Sequence, residues 1–277
     1  MARRDDHFAG KLVVVTGGTS GIGFALAEEL LRRGAKVAVL SDKPESVSAA
    51  LEKLRAGGRP VDGYVCDIGL PHSVTETCAR ITATHGTPDV LINNAGYAIY
   101  RTFEQEEIDE VERLMNVNFG GAVRVTKAFL DGMVKRRSGH IVNVASIAAA
   151  LPLTPCAMYG AAKHGMLGWS RCIAPELARF DIDITVVLPG RVKTNFFDHE
   201  TFQRRLHRKE TEMTVPMETV VNATLDAMLR RRSTVYVPWH YGLLAWAYNS
   251  LGPLVRRPFD RLLRSRIDDL YRNTGTS

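Results

Sequence analysis

Six short apolar runs, each separated from the next by a stretch of helical character, leave this 277-residue chain little choice of architecture. The runs are residues 12–15, 36–40, 61–66, 89–93, 140–145 and 183–188. They are nearly continuous in Val, Ile and Leu rather than alternating with polar residues, which is the pattern of strands buried on both faces. Between them, helices are predicted over 24–33, 45–56, 72–85, 104–115, 118–137 and 157–180. In the first, Ala25, Leu26, Leu30 and Leu31 supply one apolar face and Gly34 stops the helix. Strands that alternate with helices predict an α/β fold with a doubly wound parallel sheet, because right-handed crossovers place helices on both faces. No long linker, internal repeat or low-complexity tract interrupts the pattern. The chain therefore reads as a single Rossmann-like domain over 8–238, followed by an aromatic and basic C-terminal tail, 239–277, that departs from the alternation, is irregular in its pattern and is taken as an extra helical segment.

Composition excludes more than it assigns. Thirty-six Lys and Arg against 30 Asp and Glu give a net charge of +6. The excess is clustered at Arg204, Arg205, Arg208 and Lys209, at Arg230 to Arg232, and in the tail at Arg256, Arg257, Arg261, Arg264 and Arg266. No helix-turn-helix, zinc-finger or RNA-binding aromatic signature accompanies it, so nucleic acid is not an expected partner. Cys66, Cys78, Cys156 and Cys172 form no CxxC pair and read as reduced, mostly buried residues of a cytoplasmic protein. The histidines contain no metal-ligand spacing, so no metal site is expected. Residues 1–8 lack the apolar core of a signal peptide, and no apolar run approaches the roughly 18 residues of a membrane span.

The turn after the first strand is Thr16-Gly17-Gly18-Thr19-Ser20-Gly21-Ile22-Gly23. Glycines there let the backbone turn tightly and approach a pyrophosphate, whose charge suits a helix N-terminus. Asn94, Ala95 and Gly96 follow the fourth strand, and Asp67 and Ile68 follow the third, all at the strand ends where open α/β sheets bind ligands. Asp42, beside Ser41 at the end of the second strand, lies where an acidic residue binds ribose hydroxyls and excludes a 2′-phosphate. Ser41 and Lys43 would instead suit a phosphate, so NAD or NADP stay open with NAD favoured.

Tyr159 and Lys163 stand four residues apart near the start of the 157–180 helix and share one face. A phenol titrates near ~10, too high for a base at neutral pH, and a neighbouring ammonium would lower it. His164, about 100° away round the helix, reads as structural, and Cys156 has no base partner that would make it a nucleophile.

The glycine turn, Asn93 to Gly96, Ser146 thirteen residues before Tyr159, the YxxxK pair, and Pro189-Gly190 followed by Thr194 together resemble the short-chain dehydrogenase/reductase family from about residue 11 to 238. The resemblance implies hydride transfer between a nicotinamide cofactor and a secondary alcohol or ketone. It implies Tyr159 as acid/base, Lys163 as the residue that lowers its pKa and holds the ribose, and Ser146 as the hydroxyl that orients the substrate oxygen. It implies Asn118 as the anchor of a relay water, with Asn116 as the rival. It implies Pro189, Gly190, Val192 and Thr194 as holders of the carboxamide. Ala145 departs from the second Ser many members carry there.

By the same resemblance, a lid over residues 194–215 covers the substrate. Its Phe196, Phe197, Phe202, Leu206 and Met213, facing Leu151, Leu153 and Met158, fit a lipophilic substrate. The tail, with aromatics beside arginines, is expected to pack on the domain or meet a membrane surface. A homodimer or homotetramer through the 118–137 and 157–180 helices is implied too. The alternatives are a 3-oxoacyl-type or small-ketone reductase and, in another class, a non-catalytic nicotinamide sensor or membrane-surface binding protein.

Overall fold

The computed structural model describes residues 6–56, 58–194, 196, 200–203 and 214–274. Its centre is a seven-stranded, wholly parallel sheet in the order β3-β2-β1-β4-β5-β6-β7. The strands are β1 (Leu12–Thr16), β2 (Lys36–Ser41), β3 (Val61–Val65), β4 (Val90–Asn93), β5 (Gly139–Val144), β6 (Ile182–Pro189) and β7 (Thr234–Val237). Successive side chains of a strand point to opposite faces, and here both faces are dry. Val13 and Val15 of β1 join Leu26 and Leu30 of α1 (Gly21–Arg32) and Val220 and Leu225 of α8 (Met217–Leu229). Val14, one residue out of phase, joins Ile81 of α3 (Pro71–His85) and Phe129 and Met133 of α5 (Ala122–Arg136). The continuous Val run of β1 is thus explained by burial on two sides at once.

Helix boundaries follow local chemistry. Pro44 opens α2 (Pro44–Arg55) and Pro71 opens α3, where a missing N–H costs nothing. Gly86 ends α3 at φ +85°, a conformation other residues avoid. The two helices predicted over 104–115 and 118–137 are one path: a 3₁₀ turn (Phe103–Gln105), α4 (Ile108–Met115), a π segment (Asn116–Gly121) and α5. The long α6 (Ala157–Ala178) matches its predicted position.

One element was not expected: β7, reached through α8, adds a seventh strand to the six predicted. The tail is helical, as expected: α9 (His240–Ser250) and α10 (Pro253–Thr274) follow β7. Of residues 194–215, the described ones are Thr194, Phe196, a short α7 (Glu200–Gln203), Thr214 and Val215, while Asn195, Phe197, Leu206 and Met213, with Arg204, Arg205, Arg208 and Lys209, lie outside the described residues. The cysteines are all free, with Cys172 exposed and the other three buried.

At the sheet end opposite the glycine turn, buried His140 bonds through Nε2 to Thr185 Oγ1 at 2.8 Å. Thr185 Oγ1 donates its own hydrogen to the Arg232 carbonyl, so it accepts from His140, which fixes the Nε2–H neutral tautomer. Burial first, then the cations Arg231, His7 and Lys11, push the imidazole down to about 4. The folded state therefore holds this ring neutral where the unfolded chain would protonate it. The resulting stability is complete above the unfolded value near 6.5 and is lost as pH falls toward 4. Urea unfolding at pH 7 and pH 5 should differ by about 2 kcal/mol more in the wild type than in His140→Gln, whose amide still donates to Thr185. An equal pH dependence in both would remove His140 from the account.

Candidate functional site

The C-terminal ends of the strands surround one crevice of about 1290 Å³. Its floor at one end is the glycine turn. Gly17 and Gly21 have φ of +62° and +53°, which only glycine adopts without strain. A Cβ on Gly17 would sit 2.8 Å from Ala95 Cα, and one on Gly23 would run into the Gly17 carbonyl oxygen and the Asn94 amide. The turn is therefore packed against the end of β4 as closely as backbone allows. Asn94 Nδ2 donates to the carbonyls of Thr16 and Gly17 at 3.2 and 3.1 Å, and Thr16 Oγ1 accepts from the backbone N–H groups of Asn94 and Ala95. Asn94 thus shapes the turn and, with Ala95 and Gly96, lines the crevice.

The first turn of α1 carries no acidic residue, and Thr19, Ser20, Gly21 and Ile22 line the wall where its N–H groups begin. That is a cradle for an anion. Gly23 lies beneath, as the close packing of its Cα requires. Ser41, Asp42 and Lys43 line the wall beyond β2, with Asp42 exposed. Asp67 and Ile68 line the next stretch, two and three residues past β3. Its carboxylate is already engaged: Oδ1 accepts from the Gly69 N–H at 2.8 Å and Oδ2 from Arg113 Nη2 at 2.6 Å. Arg113, on α4, also lines the crevice and was not legible as a site residue, since its partner lies 46 positions away.

At the other end β5 delivers Ser146 and α6 delivers Tyr159 and Lys163. Ser146 is in extended backbone and its Oγ accepts from the Ala148 N–H at 3.2 Å, capping the 3₁₀ turn Ile147–Ala149. Tyr159 and Lys163 are 8% and 3% exposed. Lys163 Nζ donates to the Val144 carbonyl at 3.0 Å and lies 5.7 Å from the Tyr159 ring centre. Burial lowers the ammonium to about 8. Burial also raises the Tyr159 phenol, with a Ser146 hydrogen bond pulling it back and Cys156 raising it further. Burial thus acts against the lowering by Lys163 that the spacing predicts, and the lowering contribution comes from Ser146. Both residues are instead held in their uncharged-favouring directions by the same dry surroundings.

The π segment places Asn118 against them. Its Nδ2 donates to the carbonyls of Tyr97 and Leu114 at 2.9 and 3.1 Å, which points Oδ1 the other way. That oxygen is buried and has no hydrogen-bond partner among the described residues. A Cβ built on Gly96 would collide with it and would lie 3.6 Å from Lys163 Nζ, so Gly96, Asn118 and Lys163 converge. The rival, Asn116, is exposed and accepts from Arg124 at 2.8 Å. π segments inside helices are frequent at functional sites.

Pro189 ends β6, and Gly190, Val192 and Thr194 line the wall facing the glycine turn. A Cβ on Gly21 would be 3.4 Å from Thr194 Cβ. The apolar wall has Leu151, Leu153, Phe196 and Phe202, with the Phe196 ring 5.6 Å from that of Tyr159. Met158 is not in the wall; it packs into the cluster behind it. His164 Nδ1 is bonded to the Gly160 carbonyl oxygen at 2.9 Å, a structural role. The tail supplies the remaining wall: Tyr241 and Leu244 of α9, and Phe259 and Leu263 of α10. A Cβ on Gly190 would strike the Tyr241 ring, so α9 is seated directly on the end of β6.

The family profile described as short chain dehydrogenase matches residues 11–205. The chain is 35% identical over 197 residues, 71% of this chain and 70% of the relative, to dehydrogenase/reductase SDR family member 4 of Homo sapiens. It is 33% identical over 189 residues, 68% of this chain and 76% of the relative, to the 3-oxoacyl-acyl-carrier-protein reductase of Escherichia coli. Among solved structures it is similar to a short-chain dehydrogenase from Sphingobium yanoikuyae in complex with NADPH, at TM-score 0.76 and 26% identity, covering 90% of this chain and 95% of that one. It is also similar to an actinorhodin polyketide ketoreductase with NADPH, at TM-score 0.75 and 29% identity, covering 84% and 97%. A parallel sheet with a glycine-turn crevice, the Ser146, Tyr159 and Lys163 cluster at its far end and these likenesses lead to one assignment: the chain belongs to the short-chain dehydrogenase/reductase family of oxidoreductases.

Proposed function

We propose that this oxidoreductase interconverts a secondary alcohol and a ketone of lipophilic character, using NAD in preference to NADP. The observation that carries the reading is the convergence of Tyr159, Lys163 and the bare Asn118 oxygen at one end of a crevice whose other end is a glycine-floored anion cradle. The residues fit a dinucleotide: no side chain could be added at Gly17 or Gly23 without filling the turn, and the α1 N-terminus suits a pyrophosphate. Gly17 to Gly23 would hold that pyrophosphate, Ser41 and Asp42 the adenosine ribose, Asp67, Ile68, Ala95 and Gly96 the adenine side, and Pro189, Gly190, Val192 and Thr194 the nicotinamide amide. When bound, the cofactor supplies or accepts the hydride.

The chain's own groups handle the proton. Tyr159 gives its Oη proton to the forming alkoxide in reduction, and takes it back in oxidation. Ser146 donates to the same substrate oxygen and orients it. Lys163 would hold the ribose and return a proton toward Tyr159, drawing on a water that donates to Asn118 Oδ1. The buried phenol is raised in pKa, which keeps it protonated and ready as an acid in the reducing direction. Leu151, Leu153, Phe196 and Phe202 favour an apolar body on the substrate. The relative named as a 3-oxoacyl-carrier reductase supports a second reading, a 3-oxoacyl substrate of the same chemistry.

The reading takes 8–238 as the catalytic unit, 194–215 as lid and 239–277 as an added tail that meets a membrane surface. It also includes assembly as a homodimer or homotetramer through α5 and α6. Fluorescence titration should show NADH binding more tightly than NADPH, because the Asp42 carboxylate repels a 2′-phosphate. Asp42→Ala should reduce that preference by about tenfold, the scale of 1.4 kcal/mol. Tighter binding of NADPH by the wild type would overturn the cofactor choice, and absence of turnover with any ketone would overturn the reading itself.

A further inference from the structure

The matched family region ends at residue 205, yet α9 and α10 form part of the crevice wall. They are held there on both sides. Asn249 Nδ2 donates to the Ala150 carbonyl at 3.1 Å, and Tyr271 Oη bonds Thr102 Oγ1 at 3.0 Å. Ala245 is buried against the domain, and the Tyr248 and Phe259 rings meet at 5.2 Å, with Arg256 stacked on Tyr248. The opposite surface carries what a soluble monomer rarely exposes together. Trp239, Leu243 and Trp246, spaced i, i+4, i+7 and therefore on one stripe, are 73%, 58% and 61% exposed, and Leu254 is 83% exposed. On α10, Arg257, Arg261 and Arg264 repeat the same spacing, are exposed, and make no ion pair among the described residues. From Pro253 to Arg266 five arginines stand against one acidic residue, Asp260.

Indole and leucine side chains beside unneutralised arginines match the interface of a bilayer with anionic headgroups. No helix among the described residues is long and apolar enough to cross one, so this surface would lie on the bilayer rather than span it. A second copy docked through the same face by two-fold symmetry would bring the arginine rows together, which is unfavourable. Leu244 belongs to both surfaces: it is 39% exposed and lines the crevice, next to Phe259 and Leu263.

We propose that α9 and the first half of α10 dock on an anionic lipid bilayer, and that the crevice takes its substrate through the Leu244, Phe259 and Leu263 wall from that bilayer. Both clauses rest on the reading above, the first on the tail's membrane contact and the second on the lipophilic substrate. The test uses the intact protein with phosphatidylcholine vesicles, with and without phosphatidylserine. Co-sedimentation should require phosphatidylserine, weaken with salt, and shift tryptophan emission to the blue. Trp239→Ser/Trp246→Ser should weaken vesicle binding by at least about tenfold. Arg257→Gln/Arg261→Gln should weaken it by about fivefold per charge. Both double variants alter exposed residues and should keep NADH affinity and turnover of a water-soluble ketone. Turnover of a bilayer-dissolved long-chain ketone should fall with vesicle binding, through KM. Failure of the wild type to bind phosphatidylserine vesicles would overturn the proposal, as would undiminished binding by both variants. Loss of a dimer in the tryptophan variant without any vesicle binding would overturn it in favour of a subunit contact. Absence of turnover with every ketone, with vesicle binding intact, would instead count against the function reading and the entry route alone.

Discussion

Tyr159→Phe is expected to bind NADH as the wild type does and to lose turnover by about 10²- to 10⁴-fold, the range for removing a positioned acid or base. The substitution deletes one oxygen. The ring keeps its place between Phe196 at 5.6 Å and Lys163 at 5.7 Å, so packing at this buried site is conserved. What disappears is the phenol oxygen brought beside both Ser146 and Lys163, and the proton it would pass to the substrate oxygen. The loss should fall on kcat rather than on cofactor affinity, because an interaction made only in the transition state is removed. Steady-state kinetics beside a fluorescence titration separate the two. Turnover kept within a few-fold of wild type would show that another group moves the proton.

Gly23→Ala is expected to damage the other end of the crevice. The added methyl would collide with the Gly17 carbonyl oxygen and the Asn94 amide, and would lie 2.9 Å from the Gly17 carbonyl carbon. Two of these are backbone atoms of the turn itself, so no flexible side-chain tip can move aside. Relief requires the turn to shift, which breaks the bonds from Asn94 to Thr16 and Gly17. Overpacking of this kind costs about 1–3 kcal/mol in stability. Misplacing the turn should weaken NADH by about 10- to 100-fold, since each 1.4 kcal/mol is tenfold. Gly168→Ala is the control: a Cβ there meets nothing within 4 Å on α6, and helix propensity alone should stabilise it by up to about 1 kcal/mol. Equal NADH affinity in Gly23→Ala and wild type would mean that the turn does not hold the pyrophosphate.

The parts of the molecule governed by local pattern were legible in its sequence. Burial on both faces writes itself into β1 as Val13, Val14 and Val15, and α6 announces itself through Tyr159 and Lys163 four residues apart. Legibility failed where long-range partners decide. Asp67 was legible as a residue at a ligand-binding strand end, but its pairing with Arg113 joins a loop to a helix far along the chain. The lowering of the Tyr159 phenol followed from spacing alone, whereas the structure sets desolvation against it. β7 is four residues long and reads like a loop until β6 is beside it. The tail was read as helical although Pro253 and Pro258 punctuate its pattern. Pro253 opens α10, where a missing N–H is harmless, and Pro258 lies close behind it in the same helix. The preference for Asn118 over Asn116 rested on the resemblance; the packing that goes with it, a π segment that turns one inward and leaves the other on Arg124, was not legible.

The central claim is hydride transfer to a carbonyl carbon in the crevice beside Tyr159, and isotopic transfer tests it most directly. The protein would be incubated with 4,4-dideuterio-NADH and a panel of lipophilic ketones, and the alcohol formed would be analysed by mass spectrometry. The account predicts one deuterium on the carbinol carbon of the wild-type product, and no product above background with Tyr159→Phe. Alcohol formed without deuterium at that carbon, or a folded, NADH-binding protein that reduces none of the ketones, would contradict it.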